Sequence, residues 1–207
     1  MQGRDRSGVI ELDKPLMVFA GRSNVGKSST IRLLTGKKVR VGKRPGSTKW
    51  EIMIDLGPVT LVDIPGFGYM AGMSKIAIEE MKTTLIQKLE GWSDRLALAV
   101  LIVDISLFRT LVDRWESRGE IPIDVEFYTF LSEISARVIV VANKIDKLKK
   151  REQPLEVEYL AMKLKEALPE SEPFIVPLSA SRKTGVTELR KAVENTLQDD
   201  GIGRPRW

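Results

Sequence analysis

The chain has 207 residues, 43% hydrophobic and 29% charged, which is the composition of one soluble globular domain with a sizeable core. It has no cysteine and no histidine, which excludes disulfides, thiolate and imidazole metal sites and His-based acid–base catalysis; any metal must be a hard ion held by oxygens, such as Mg²⁺. Its 33 basic and 28 acidic residues give a net charge of +5 and a pI of about 9.4, which fits plain solubility or an acidic partner such as RNA.

Residues 1–14 are charged and read as a loosely held arm. Leu16-Met17-Val18-Phe19-Ala20 is a buried-strand run, and Ser29 to Leu34 reads as a helix that stops at Gly36. Between them, Gly21-Arg22-Ser23-Asn24-Val25-Gly26-Lys27-Ser28 has the Gly-x4-Gly-Lys-Ser spacing of a phosphate-binding loop. Gly21 permits a tight turn off the strand, and Gly26 lets backbone N–H groups approach phosphate oxygens. Lys27 then reaches the β- and γ-phosphates, Ser28 offers a hydroxyl to Mg²⁺, and the helix dipole faces the anion.

Lys37 to Trp50 is a polar loop with six basic residues and no acidic one. Within it, Pro45-Gly46-Ser47-Thr48 is either a solvent-facing turn or a loop whose Thr48 hydroxyl completes a Mg²⁺ shell and senses the γ-phosphate. Glu51 to Leu56 and Thr60 to Ile64 form a hairpin about Gly57-Pro58. At its end, Asp63-Ile64-Pro65-Gly66 places a carboxylate that can hold Mg²⁺ through a water, and a Gly66 N–H for the γ-phosphate. Pro65 to Gly72 is loop, and Ile76, Ile78, Met81, Leu85, Ile86 and Leu89 mark an amphipathic helix.

Leu96 to Val103 is a buried strand, too short to span a bilayer. Ile105 to Ile123 shows no clear period and breaks between Gly119 and Pro122; Asp124 to Ile134 reads as helical. Arg137 to Ala142 is a further buried strand, followed by Asn143-Lys144-Ile145-Asp146. An ionised Asp146 accepts from both N1–H and the 2-amino group of guanine, whereas adenine leaves it unpaired; such pairing discriminates by roughly 10⁴-fold. Asn143 can tie this loop to the phosphate loop, and the Lys144 stem can cover the base. Leu155, Leu160, Leu164 and Leu168 mark a helix stopped at Pro169, Phe174 to Val176 is a short strand, and Thr187 to Leu197 is the last helix. Ser179-Ala180, after that strand, has a backbone N–H for guanine O6.

The alternation predicts a three-layer, doubly wound α/β domain over residues 15–200, with a mainly parallel six-stranded sheet and one antiparallel strand, followed by a basic tail over residues 201–207. With no signal-peptide, membrane-spanning or lipidation pattern, a cytoplasmic monomer that does not bind membranes is expected.

With five such stretches in this order, the chain resembles the translation-factor-class small GTPases, which share the P-loop NTPase fold. More narrowly it resembles the EngB (YihA/YsxC) ribosome-biogenesis GTPases. The narrower likeness rests on Gly21-Arg22-Ser23-Asn24-Val25-Gly26-Lys27-Ser28-Ser29, Pro45-Gly46-Ser47-Thr48 and Asp63-Ile64-Pro65-Gly66-Phe67-Gly68-Tyr69, and it covers roughly the whole chain. The resemblance implies GTP and GDP binding, slow Mg²⁺-dependent hydrolysis and a role in large ribosomal subunit assembly. The chain departs from the EngB pattern at Asn143-Lys144-Ile145-Asp146, where a Thr-Lys-Ala-Asp version is usual, and along Ile105 to Ile123, which looks longer.

Phe67 occupies the position where Ras-type enzymes carry a water-orienting Gln, so slow intrinsic turnover is expected. Asn24 has two readings: it hydrogen-bonds within its own loop, or, as in GTPases with Asn at this position, its side-chain oxygen ligates a K⁺ ion. The basic loop Lys37 to Lys49, the run Lys147 to Arg151 and the tail Arg204-Pro205-Arg206-Trp207 are solvated charge or contacts for ribosomal RNA, with Trp207 available for stacking. The rival functions are a GTPase switch in another process, such as tRNA modification or metal or membrane traffic, and a P-loop phosphotransferase. Asn143 to Asp146 argue against the last.

Overall fold

The computed structural model describes residues 14–36, 52–66 and 75–207. Strands β1 (Leu16–Gly21), β2 (Ile52–Asp55), β3 (Thr60–Asp63), β4 (Leu96–Asp104), β5 (Arg137–Asn143) and β6 (Phe174–Pro177) form one sheet in the order β2-β3-β1-β4-β5-β6. Only β2 runs antiparallel, in the hairpin with β3 that Gly57-Pro58 predicts. Helices α1 (Lys27–Thr35), α2 (Lys75–Glu90), α3 (Ile105–Glu116), α4 (Ile123–Ile134), α5 (Gln153–Ala167) and α6 (Val186–Asp199) cover it.

Central strands covered on both faces read as continuous apolar runs, and all nine residues of β4 are buried. Alternate residues feed two cores. Val18, Ala20, Leu101, Val103 and Val140 meet Leu89 of α2, Phe108 of α3, Leu131 of α4 and Leu160 of α5. Met17, Phe19, Val100, Ile102 and Val141 meet Ile31 and Leu34 of α1 and Leu189 and Val193 of α6. The result is the expected three-layer doubly wound domain, with β1, β3, β4, β5 and β6 all ending at one edge of the sheet.

Three local features differ from the sequence reading. The segment after β4 is helix α3, which starts without a loop: Asp104, the last residue of β4, also caps α3 by accepting from Ser106 N. A strand passing directly into a helix hides both periods, although Ile105, Phe108 and Val112 are the buried stripe. On α5, Leu155 is 58% exposed, and Leu160 and Leu164 carry the contact with the core. The tail folds back. Arg206 N donates to Leu56 O, Pro205 is buried, and Trp207 joins the second core while its indole donates to Glu194 Oε1 at 2.7 Å. Trp207 is therefore already engaged, contrary to its expected availability for stacking. Among the described residues no helix is long and apolar enough to cross a membrane.

Candidate functional site

The loop Arg22–Gly26 leaves β1 in the centre of the sheet and enters α1. It is tightly packed at both glycines. A Cβ at Gly21 would sit 2.5 Å from Ile102 O, and one at Gly26 would sit 2.3 Å from Asn143 Nδ2. Gly26 also has φ 99°, a conformation that L side chains rarely adopt. The chain there turns directly into α1, whose first-turn N–H groups have no intrahelical partner and face the mouth of the site as a partial positive charge.

Lys27, the first residue of α1, forms an ion pair with Asp63, the last residue of β3. Both side chains are about nine-tenths buried, at 10% and 7% exposure, so the pair is well shielded. Gly66, after β3, lies against Ser23 of the phosphate loop, where a Cβ would approach Ser23 N to 2.9 Å. The β1 and β3 loops are thus in contact.

The loop after β5 is tied to them by side chains. Asn143 is 1% exposed; its Nδ2 donates to Val25 O at 2.7 Å, and its Oδ1 accepts from Ala180 N at 3.1 Å. Lys144, at φ 65°, sends its ammonium to Asn24 O and to Asp104 Oδ2, each at 2.6 Å. Asp146 is exposed and accepts from the hydroxyls of Ser179 and Ser181. The Ser179 hydroxyl, with Ser181, the local backbone and Arg182 adding to it, holds the Asp146 carboxyl below its usual range. It is an ionised acceptor fork at neutral pH. Ser179 is itself buried and fixed by backbone exchange with Thr184.

The described part of the site therefore brings together Gly21 to Ser29, Asp63, Gly66, Asn143, Lys144, Asp146, Ser179 and Ala180. Gly46, Ser47 and Thr48, Phe67, the basic loop Lys37 to Lys49 and residues 1–13 of the N-terminal arm lie outside the described residues. Asn24 is exposed, and its side chain makes no hydrogen bond among the described residues, which leaves its oxygen free of the loop. Of the run Lys147 to Arg151, all but Leu148 are exposed next to Asp146.

Three residues escaped the sequence reading: Asp104, Ser181 and Asp124. Asp104 is an acid ending a buried apolar strand, the signal that singled out Asp63. Ser181 follows Ser179-Ala180 with no distinguishing pattern. Asp124 is buried in α4, 3.6 Å from the Arg22 guanidinium.

No group of three or more His, Cys, Asp or Glu that could hold a metal exists among the described residues. Among the described residues, the oxygens at this point of the site are the Ser28 hydroxyl and the Asp63 carboxylate, to which a bound phosphate ligand would add its own. That donor set fits Mg²⁺, which favours one or two carboxylates with phosphates and waters.

Residues 16–144 match the family model described as "50S ribosome-binding GTPase". The "Probable GTP-binding protein EngB" of Pyrococcus abyssi is 41% identical over 190 residues, covering 92% of this chain and 89% of that protein. The protein of the same name from Pyrococcus horikoshii is 41% identical over 191 residues, covering 92% and 88%. A crystal structure of "a probable GTP-binding protein engB" superposes with a TM-score of 0.80 at 41% identity, covering 89% of this chain and 99% of that one.

Proposed function

The chain belongs to the EngB family of GTP-binding proteins, and from that premise we propose that it is a slow GTP hydrolase acting as a nucleotide-dependent switch in assembly of the large ribosomal subunit. The observation that supports guanine as the base is the ionised Asp146 fork, held by Ser179 and Ser181 beside the Asn143 lock. Asp146 accepts from N1–H and the 2-amino group; the N–H groups expected to meet O6 are instead committed in this structure, Ser179 N to Thr184 O and Ala180 N to Asn143 Oδ1. The Lys144 stem, fixed at both Asn24 O and Asp104, covers the base.

Phosphoryl transfer requires charge neutralisation and positioning more than a strong base. The amides of Asn24 to Ser29 and the α1 dipole cradle the phosphates. Lys27 exchanges its Asp63 partner for the β- and γ-phosphates, and Gly66 N–H donates to the γ-phosphate. Ser28, Thr48 and, through a water, Asp63 would hold Mg²⁺, which when bound supplies positive charge along the phosphate oxygens. Turnover is slow because Phe67 carries no group that orients water. Asn24, with a side-chain oxygen free of its own loop, is the candidate ligand for a stimulating K⁺ ion.

Two features support the ribosomal reading: the description of the matched family model and the exposed run Lys147 to Arg151 beside the base loop. The protein acts as a cytoplasmic monomer, with the basic residues of Lys37 to Lys49 adding phosphate contacts. Co-sedimentation with ribosomal subunits tests this, under GDP or a non-hydrolysable GTP analogue across a salt series. Binding that needs the triphosphate and falls steeply with salt is expected. Absent or nucleotide-independent binding removes the ribosomal role and leaves the GTPase.

A further inference from the structure

The Arg22 side chain leaves the phosphate loop and runs to α4. Its Nη1 lies 3.6 Å from Asp124 Oδ2. Asp124 is 4% exposed, in the first turn of α4, and its Oδ1 has no hydrogen-bond partner among the described residues. Burying a carboxylate is unfavourable unless it is closely paired and hydrogen-bonded. This one faces its cation beyond hydrogen-bonding distance on one oxygen and is bare on the other.

Anchoring α4 does not explain the residue. Val125, Phe127, Tyr128 and Leu131 already bury that helix in the core. A neutral side chain at position 124 would avoid the electrostatic penalty. Unfavourable groups that persist in a fold concentrate at functional sites, and this one faces the phosphate loop. The same end of α4 also reaches the helix that follows Gly66, through Glu126 and Lys82 at 2.9 Å.

We propose that Asp124 is a positioning residue of the nucleotide site: its carboxylate holds the Arg22 guanidinium toward α4 and so sets the conformation of the phosphate loop during GTP binding and turnover. The proposal rests on the GTP-hydrolysis reading above. The charged groups acting on Asp124 are Arg22, from the phosphate loop, and Asp104, from the end of β4, which is itself paired with Lys144. Burial is the main influence and pushes the Asp124 carboxyl up to about 6; Arg22 opposes it and Asp104 adds to it. The hold on Arg22 is present above that pH and is lost as the carboxylate takes up a proton below it.

The test measures GTP turnover and release of a fluorescent GDP from pH 5 to 8.5, in the full chain, for the wild type, Asp124→Asn, Arg22→Gln and the double variant. Wild-type turnover should rise on the order of tenfold through about pH 6, and each single variant should lose that rise. The double variant should be no worse than either single variant, since both act through one contact. Asp124→Asn should also melt higher than wild type at pH 8 while turning over more slowly. A purely structural Asp124 gives the opposite: a lower melting temperature, additive losses and an unchanged pH profile. That set of results overturns the proposal. If Asp124→Asn does not fold, the Arg22→Gln profile decides, and a retained rise contradicts the proposal. A wild type that hydrolyses no GTP removes the hydrolysis reading instead, and its GDP-release profile still tests Asp124.

Discussion

Asn143 donates from Nδ2 to the Val25 carbonyl at 2.7 Å, joining residues 118 positions apart in the chain. Its Oδ1 simultaneously accepts from Ala180 N, so one buried amide holds the loops after β1, β5 and β6 at a fixed spacing. Under the proposed function, that spacing would let one ligand place its phosphate on the first loop and its base on the other two. Gly26 leaves room for this amide, since a Cβ there would overlap Asn143 Nδ2.

Asn143→Ala removes both bonds and leaves Val25 O and Ala180 N without their partner. Each abandoned buried group costs about 1–3 kcal/mol, so a loss of about 2–4 kcal/mol is expected, allowing for partial relief by water. Urea unfolding with and without GDP measures it. GDP affinity should fall in parallel. Unchanged affinity would show that the loop spacing does not depend on this amide.

Most of the fold was legible from the sequence because its central strands are uninterrupted apolar runs and its loops carry strong turn residues. The phosphate loop, Asp63 and the Asn143 to Asp146 stretch were legible because each stands at a strand end. Asp104 stands at a strand end too, but α3 begins on the next residue and no turn marks the boundary. Asp124 was not legible: an acid in the first turn of a helix ordinarily serves the helix dipole at the surface, and only tertiary packing buries this one against Arg22. Trp207 likewise shows no local signal for its contact with Glu194.

A second prediction concerns stability and pH. Burial raises Asp124 from its ordinary 3.8 to about 6 in the folded protein. The folded state therefore binds this proton more tightly than the unfolded chain does. The stability it contributes is fully present below about pH 3.8 and is lost as pH rises through about 6. The difference is on the order of 3 kcal/mol. Asp124→Asn should therefore gain melting temperature relative to wild type at pH 8, with the gain shrinking toward pH 4.5. Parallel melting curves at the two pH values would contradict the buried-charge account.

Asn24 supplies a third. If its side-chain oxygen ligates K⁺, turnover in KCl should exceed turnover in NaCl at matched ionic strength, and Asn24→Ala should abolish the difference while leaving the fold intact. Removing one preorganised electrostatic contribution of this kind lowers kcat by about 10²–10³ in favourable cases. Equal rates in the two salts would return Asn24 to a loop residue.

The central claim is that these strand-end loops form a guanine site read by Asp146. Asp146→Asn tests it most directly, through the affinities of the variant for GTP and xanthosine triphosphate. Asn presents a donor where the 2-oxo group of xanthine is an acceptor, so GTP affinity should fall by roughly 10²-fold or more while xanthosine triphosphate binding improves. Unchanged GTP affinity, with no gain for xanthosine triphosphate, would contradict the account.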